Sequence, residues 1–233
     1  MTAISPVDDN YTGTVAGPHQ PIRRTTAHST ITKMSVGPMD NNTYVVTCTA
    51  TGDQLLIDAA NDASAILALL AELPGTLRAI LTTHGHPDHV LALEAIAAAT
   101  GVPTLAGRDD AAALPLAPDR LLDDGDDITV GNLTLRAIHL VGHTEGSIAL
   151  ALRDASEDGA GLMSVQLFTG DCLFPGGVGK TWQPGDFERL LGGVTTKLFG
   201  AYPDDTAVYP GHGNDTTLGA QRPHLTQWAA RGW

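Results

Sequence analysis

A layered α/β sandwich, rather than a purely parallel sheet, is the fold class that this 233-residue sequence predicts. Two observations carry it. Short stretches rich in β-branched residues come in runs, and helical patterns fall between only some of them, whereas a purely parallel sheet needs a helix at nearly every crossover. The elements follow in order. Residues 1–28 are polar and punctuated by Pro and Gly, and are expected to form an irregular or loosely docked arm ahead of one domain over 29–233. "STITKMSV", "NTYVVTCTA" and "DQLLIDAA" read as strands separated by the "GPMDNN" and "TG" turns. "DASAILALLAEL" (62–73) reads as a helix capped by Asp62 and stopped at Pro74-Gly75. "LRAILTT" is a short buried strand, and "PDHVLALEAIAAAT" (87–100) a helix closed by Gly101. "VPTLAG" is a strand, and 107–116 a short helix or loop.

After "DDGDD", strands are expected over "ITVGNLTLRAIHL" and "SIALALRD". A polar turn, "ASEDGAG", leads to "LMSVQLFTGDCLF". "DFERLLGGVTTKLFG" is helical though weakened by Gly192-Gly193, "TAVYPGHG" is a strand with a loop, and the tail from Thr217 is a helix interrupted by Pro223. No repeat or low-complexity tract appears.

Composition narrows the function. A formal net charge of −13 repels nucleic acid and anionic membrane surfaces, so neither is an expected partner. No apolar run approaches the ~18 residues of a spanning helix. The N-terminus lacks the features of a secretory signal, and two cysteines fit a reduced compartment. A cytoplasmic location and a small-molecule substrate are therefore expected, with the oligomeric state left open.

Three of the nine histidines fall in "THGHPDHV". A strand ends at Thr83 and a helix starts near Pro87. Residues two apart in extended chain share a side, so His84 and His86 can grip one ion. Asp88 and His89, where the chain turns into helix, can face a second point nearby. Two histidines do not complete a site, since catalytic zinc takes three protein ligands and a water. Further ligands are expected at later strand ends: His143 in "GHTEGS", Asp171 in "TGDCLF" and His212 in "YPGHG". Each has a small neighbour that allows close backbone approach. Asp58, in "LLIDAA", reads either as an orienter of ligands or as a turn residue. His19, His28, His139 and His224 read as ordinary core or surface residues.

With these residues in hand, the chain resembles the metallo-β-lactamase superfamily, whose HxHxDH motif is matched by His84, His86, Asp88 and His89. Within it the "GHTEGS" and "GDCLF" segments look most like glyoxalase II and related thioester hydrolases. The resemblance implies a four-layer αββα sandwich and two divalent metal ions, zinc first, with iron or manganese as alternatives. It implies that His84, His86 and His143 hold one ion, that Asp88, His89 and His212 hold the other, and that Asp171 bridges them. Asp88 and Asp171 are then the catalytic carboxylates, and Cys172 is a packed small residue rather than a ligand.

"GGVGKT" (176–181) suggests a phosphate loop, but the spacing rejects it: the first glycine of such a loop would stand at Phe174. In glyoxalase II a basic residue of the Gly-rich loop binds a carboxylate of the thiol carrier, and Lys180 matches it; a solvated loop charge is the competing reading. Trp182 stands where that family has tyrosine, and only 21 residues follow His212, so a short form without the C-terminal helical domain is expected. The resemblance implies a thioester substrate of a low-molecular-weight thiol. Its alternatives are an iron-dependent persulfide dioxygenase using His84, His143 and Asp171, and a lactonase or other ester hydrolase on the same centre.

Overall fold

The computed structural model describes residues 2–155 and 163–232; most of the polar turn expected at 155–161 lies outside them. Among the described residues, fifteen strands follow in chain order: β1 (Ile22–Thr25), β2 (Ser29–Val36), β3 (Asn41–Cys48), β4 (Asp53–Ile57), β5 (Thr76–Thr82), β6 (Thr104–Gly107), β7 (Arg120–Leu122), β8 (Asp127–Val130), β9 (Leu133–His139), β10 (Ile148–Ala155), β11 (Met163–Gly170), β12 (Leu173–Phe174), β13 (Gly177–Val178), β14 (Ala207–Pro210) and β15 (Thr216–Thr217). The helices are α1 (Ala63–Glu72), α2 (Leu93–Thr100), α3 (Asp186–Gly193), α4 (Leu218–Gln221) and α5 (Leu225–Arg231).

β1 to β7 form one sheet in sequence order, antiparallel through β4 and parallel from β4 to β7. The second sheet has the order β15-β14-β11-β10-β9-β8, in which β11 and β14 are parallel and the other pairs antiparallel. Three apolar layers separate four structural ones. Ile31, Val46, Leu55 and Leu81 of the first sheet meet Leu135, Leu150 and Phe168 of the second. Ile66 and Leu69 of α1 and Ile96 of α2 cover the outer face of the first sheet. Leu190 of α3 and Trp228 of α5 cover that of the second. This is the αββα sandwich, with a hydrophobic core at each interface.

Asp62 caps α1 by accepting from the Ala65 amide at 3.1 Å, and Gly101 closes α2 in left-handed conformation. Gly192-Gly193 does not end the helical stretch: α3 passes after Gly193 into a π-helix that runs through Phe199. A 3-10 turn at Pro223 separates α4 from α5.

Two expectations are corrected. The helix expected over 87–100 is a 3-10 turn at Pro87–His89 followed, after a break, by α2. The Leu91 and Ala92 amides donate to the Ala60 and Ala59 carbonyls, so this stretch bonds to the loop after β4 instead of to itself. The arm expected to be irregular ends in β1, which pairs with β2 from Ile22 against Lys33 to Thr25 against Thr30. Edge pairing of this kind is decided by the partner strand, and "IRRT" carries no strong alternation of its own.

Candidate metal centre

Each cluster residue follows the C-terminal end of a strand: Asp58 after β4, His84 after β5, His143 after β9, Asp171 after β11 and His212 after β14. β4 and β5 are parallel, as are β11 and β14, and β9 runs with them through antiparallel β10. All five loops therefore open at one edge of the sandwich. Hydrogen bonds lock the two sheets there: the Ile148 amide to the Thr83 carbonyl at 2.8 Å, and the Asn42 amide to the Gly211 carbonyl at 2.7 Å.

The seven residues singled out by sequence come together. His84, His86 and His143 form one group, Asp88, His89 and His212 a second, and Asp171 joins His84 and His89 in a third. The His84 Nε2 lies 3.1 Å from His86 Nδ1 and 3.2 Å from His143 Nε2. The His89 and His212 Nε2 atoms are 3.1 Å apart. Asp171 sits between the groups, with Oδ1 3.3 Å from His89 Nε2 and Oδ2 3.6 Å from His143 Nε2 and 3.4 Å from His212 Nε2. Asp88 Oδ2 lies 3.3 Å from His212 Nε2 and accepts from Asn41 Nδ2 at 2.9 Å.

The outward ring nitrogens have their own acceptors. His143 Nδ1 meets the Lys180 carbonyl at 2.7 Å, His212 Nδ1 the Met39 carbonyl at 2.9 Å, and His89 Nδ1 the Asp58 carboxylate at 2.9 Å. A neutral imidazole that donates from Nδ1 carries a lone pair on Nε2. His84 Nδ1 is 3.1 Å from Thr83 Oγ, whose own proton goes to Asp58 at 2.8 Å, leaving that oxygen to accept. The inward nitrogens of all four rings are thus set to be electron-pair donors facing one another. Lone pairs packed at such distances repel unless a cation lies between them. The buried Asp171 Oδ1 has no hydrogen-bond partner, which is the other sign of a missing positive charge. Imidazole and carboxylate together suit a divalent transition metal. The residues fit the group.

The same charges shift the pKa values of the cluster. Burial, reinforced by the His89, His143 and His86 rings, drives His84 well below the usual histidine range. Burial also opposes charge on His89, but Asp171 and Asp58 on either side hold its pKa at about 10. Burial works against an ionised Asp171, yet the His212 and His89 rings beside it hold it well below the carboxylate range. An imidazolium between two carboxylates is where a cation would compete with the ring proton.

Asp58 stands where the chain turns in left-handed conformation (φ 57°), and its oxygens accept from the Thr83 amide, the Thr83 hydroxyl and His89. Cys172 is buried in the outer core, with Sγ toward the Leu140 carbonyl, and burial pushes its thiol pKa up. Lys180 contributes its carbonyl to His143, while its Nζ lies 4.2 Å over the ring of Trp182. Trp182 is 55% exposed and stands edge-on to His86 at 5.9 Å, beside the first group. His139 bonds to the Glu145 carbonyl and His19 pairs with Asp62, away from the cluster.

Sequence reasoning missed Asp110. This buried carboxylate accepts from the Gly85 amide at 2.8 Å, the Gly146 amide at 2.8 Å and the Thr144 hydroxyl at 2.7 Å. It ties the loop carrying His84 and His86 to the loop carrying His143. The signal in sequence was faint, an acidic pair just after a strand, "GRDD". Gly211 has a stricter reason for being glycine: a Cβ there would run into Asp171 Oδ1 and stand 2.7 Å from the His89 ring.

An αββα sandwich with a histidine and aspartate cluster at the edge where both sheets end defines a class of metal-dependent enzymes. The sequence model of the metallo-beta-lactamase superfamily matches residues 36–212, and the chain belongs to that superfamily. It is similar to an uncharacterised protein of Mycobacterium tuberculosis, 31% identical over 216 residues, which span 82% of this chain and 94% of the relative. A hydroxyacylglutathione hydrolase of Rhodospirillum rubrum is 37% identical over 175 residues, 74% of this chain and 62% of that enzyme. The hydroxyacylglutathione hydrolase GloC of Haemophilus influenzae is 31% identical over 186 residues, 72% of this chain and 83% of the relative. Among solved structures, ETHE1 from Myxococcus xanthus superposes with a TM-score of 0.72 at 28% identity, covering 86% of this chain and 84% of that one. A protein solved in a di-iron-bound form, TTHA1623, gives 0.66 at 31% identity, covering 82% and 96%.

Proposed function

We propose that the protein hydrolyses the thioester of a low-molecular-weight thiol at a centre for two divalent ions. The observation that carries this reading is the second group, Asp88, His89 and His212, complete beside the first and sharing Asp171 with it. His84, His86 and His143 would hold one ion, Asp88, His89 and His212 the other, with Asp171 between. Bound there, divalent ions would supply a Lewis acid for the carbonyl and a water of lowered pKa. Asp88, steadied by Asn41, takes a hydrogen bond from the attacking water and orients it. A thiolate leaves without a strong general acid. Trp182 and Lys180 flank the opening and bind the carrier, Lys180 by charge and Trp182 by its exposed ring. Kinship with the two hydroxyacylglutathione hydrolases supports the thioester, although the chain spans only 62% of the Rhodospirillum rubrum enzyme.

The likeness to ETHE1 supports the second reading, an iron-dependent persulfide dioxygenase on His84, His143 and Asp171. It leaves His86, Asp88, His89 and His212 without an ion to hold, which is why it ranks second. The test is to assay one metal-reloaded preparation for release of free thiol from acyl-thioesters and for oxygen consumption with persulfide. Thioester cleavage without oxygen uptake is expected. Persulfide-dependent oxygen uptake without thioester cleavage overturns the proposal.

A further inference from the structure

We infer that the N-terminal arm is a positioning device for His212, acting through a buried Lys33–Asp215 ion pair, and that it sets how tightly the Asp88–His89–His212 group holds a cation. The inference rests on the two-ion reading above.

Lys33 lies inside β2 with its side chain 2% exposed, an expensive place for an ammonium. Its three protons are all used: Asp215 Oδ1 at 2.6 Å, the Gly213 carbonyl at 2.7 Å and the Gly13 carbonyl at 3.2 Å. The partners are an arm residue and two residues of the loop just after His212. Tyr11 donates its hydroxyl to the other oxygen of Asp215, and Arg24 stacks 4.6 Å over the Tyr11 ring. Backbone bonds complete the strap: the Asp215 amide to the Gly13 carbonyl at 2.9 Å, and the Val15 amide to the Asn214 side chain at 2.8 Å.

Before His212, the backbone is fixed by the two sheets, since Gly211 bonds to Asn42 and Gly170. After it, the chain is held through Gly213, whose amide reaches the Asp40 carbonyl and whose carbonyl takes Lys33 and Asn42. The clamp therefore ends one residue from the ring that faces Asp88. The first group is held by other partners: His84 hangs on Thr83, His143 on Lys180, and the loops that carry them on Asp110. Loosening the arm should act on one cation site and spare the other.

The experiment is a cobalt(II) titration of the full-length metal-free protein, followed by the visible absorption of the bound ion, with a thermal melt of each metal-free variant as a control on folding. Three variants are compared with wild type: Tyr11→Phe, Gly13→Ala and the double change Lys33→Met with Asp215→Leu, which removes the pair without leaving a buried charge. Gly13 has φ +73°, and a Cβ there would press on Asp215 at 3.2 Å, displacing the carboxylate while keeping its chemistry. Wild type should bind two cobalt ions, and the variants should weaken one phase by roughly tenfold or more, the scale of losing an outer partner, with the other phase unchanged. If the double variant fails to fold, the two single variants decide. Two phases of wild-type affinity in every folded variant overturn the inference and leave the two-ion reading standing. Loss of both phases together also overturns it, since the arm would then support the whole centre. One cobalt in wild type fails the two-ion reading itself.

Discussion

Asp58→Asn is the sharpest probe of how the cluster is prepared for metal. Asp58 is 2% exposed and serves three donors: the Thr83 amide at 2.7 Å on Oδ1, and the Thr83 hydroxyl at 2.8 Å and His89 Nδ1 at 2.9 Å on Oδ2. An asparagine keeps one oxygen, and the backbone amide of Thr83 cannot rotate, so that oxygen must stay there. The NH2 group then faces two donors. The Thr83 hydroxyl can turn away, but His89 must move its proton from Nδ1 to Nε2, which closes the lone pair toward Asp171 and the cation. Loss of such an outer partner costs about 10–100-fold in metal affinity, roughly 1.4–2.7 kcal/mol. The metal-free protein should also lose about 1.5–3 kcal/mol with the charge-assisted bond to His89. Calorimetric titration with Zn(II) measures the first quantity and urea unfolding of the metal-free protein the second. An Asp58→Asn protein that binds two ions with wild-type affinity would refute the tautomer argument.

Other outcomes follow from the same geometry. Gly211→Ala should abolish turnover and second-ion binding while the protein stays folded, because its methyl occupies the space between Asp171 and His89; circular dichroism with metal analysis checks it, and retained activity counts against the packing described. With His89 at about 10 against a usual 6.5, its contribution to metal-free stability is complete below pH 6.5 and lost as pH rises toward 10. A cation must displace that proton, so uptake at pH 7 should release protons into weakly buffered solution, and affinity should climb between those limits. Lys180→Ala should raise KM a few-fold for thioesters whose carrier bears a carboxylate, leaving kcat nearly unchanged, with no effect on carriers lacking it. Equal loss on both substrate types would make Lys180 a support of its loop.

The cluster could be read from sequence because its signal is local: three histidines and Asp88 in six residues, then a single His or Asp beside glycine at three strand ends. Strand runs such as "STITKMSV" were legible for the same reason, since alternation and β-branching act within the segment. Asp110 was not, because it acts on Gly85 and Gly146, 25 and 36 residues away, and an acidic residue after a strand has many uses. The arm was misread at its end because β1 exists by pairing with β2, and Tyr11 and Gly13 gain their partners only where β14 delivers Asp215 beside them. The break at residues 90–92 was hidden because helical periodicity continues through "VLALEAI", while the competing acceptors, the carbonyls of Ala59 and Ala60, belong to another loop.

The metal content of protein purified without added metal tests the central claim most directly. Elemental analysis should give two divalent ions per chain, and in a series of partially stripped samples thioester hydrolysis should follow occupancy of the second. One iron per chain at full activity, with the second group empty, would contradict the account and favour chemistry on His84, His143 and Asp171 alone.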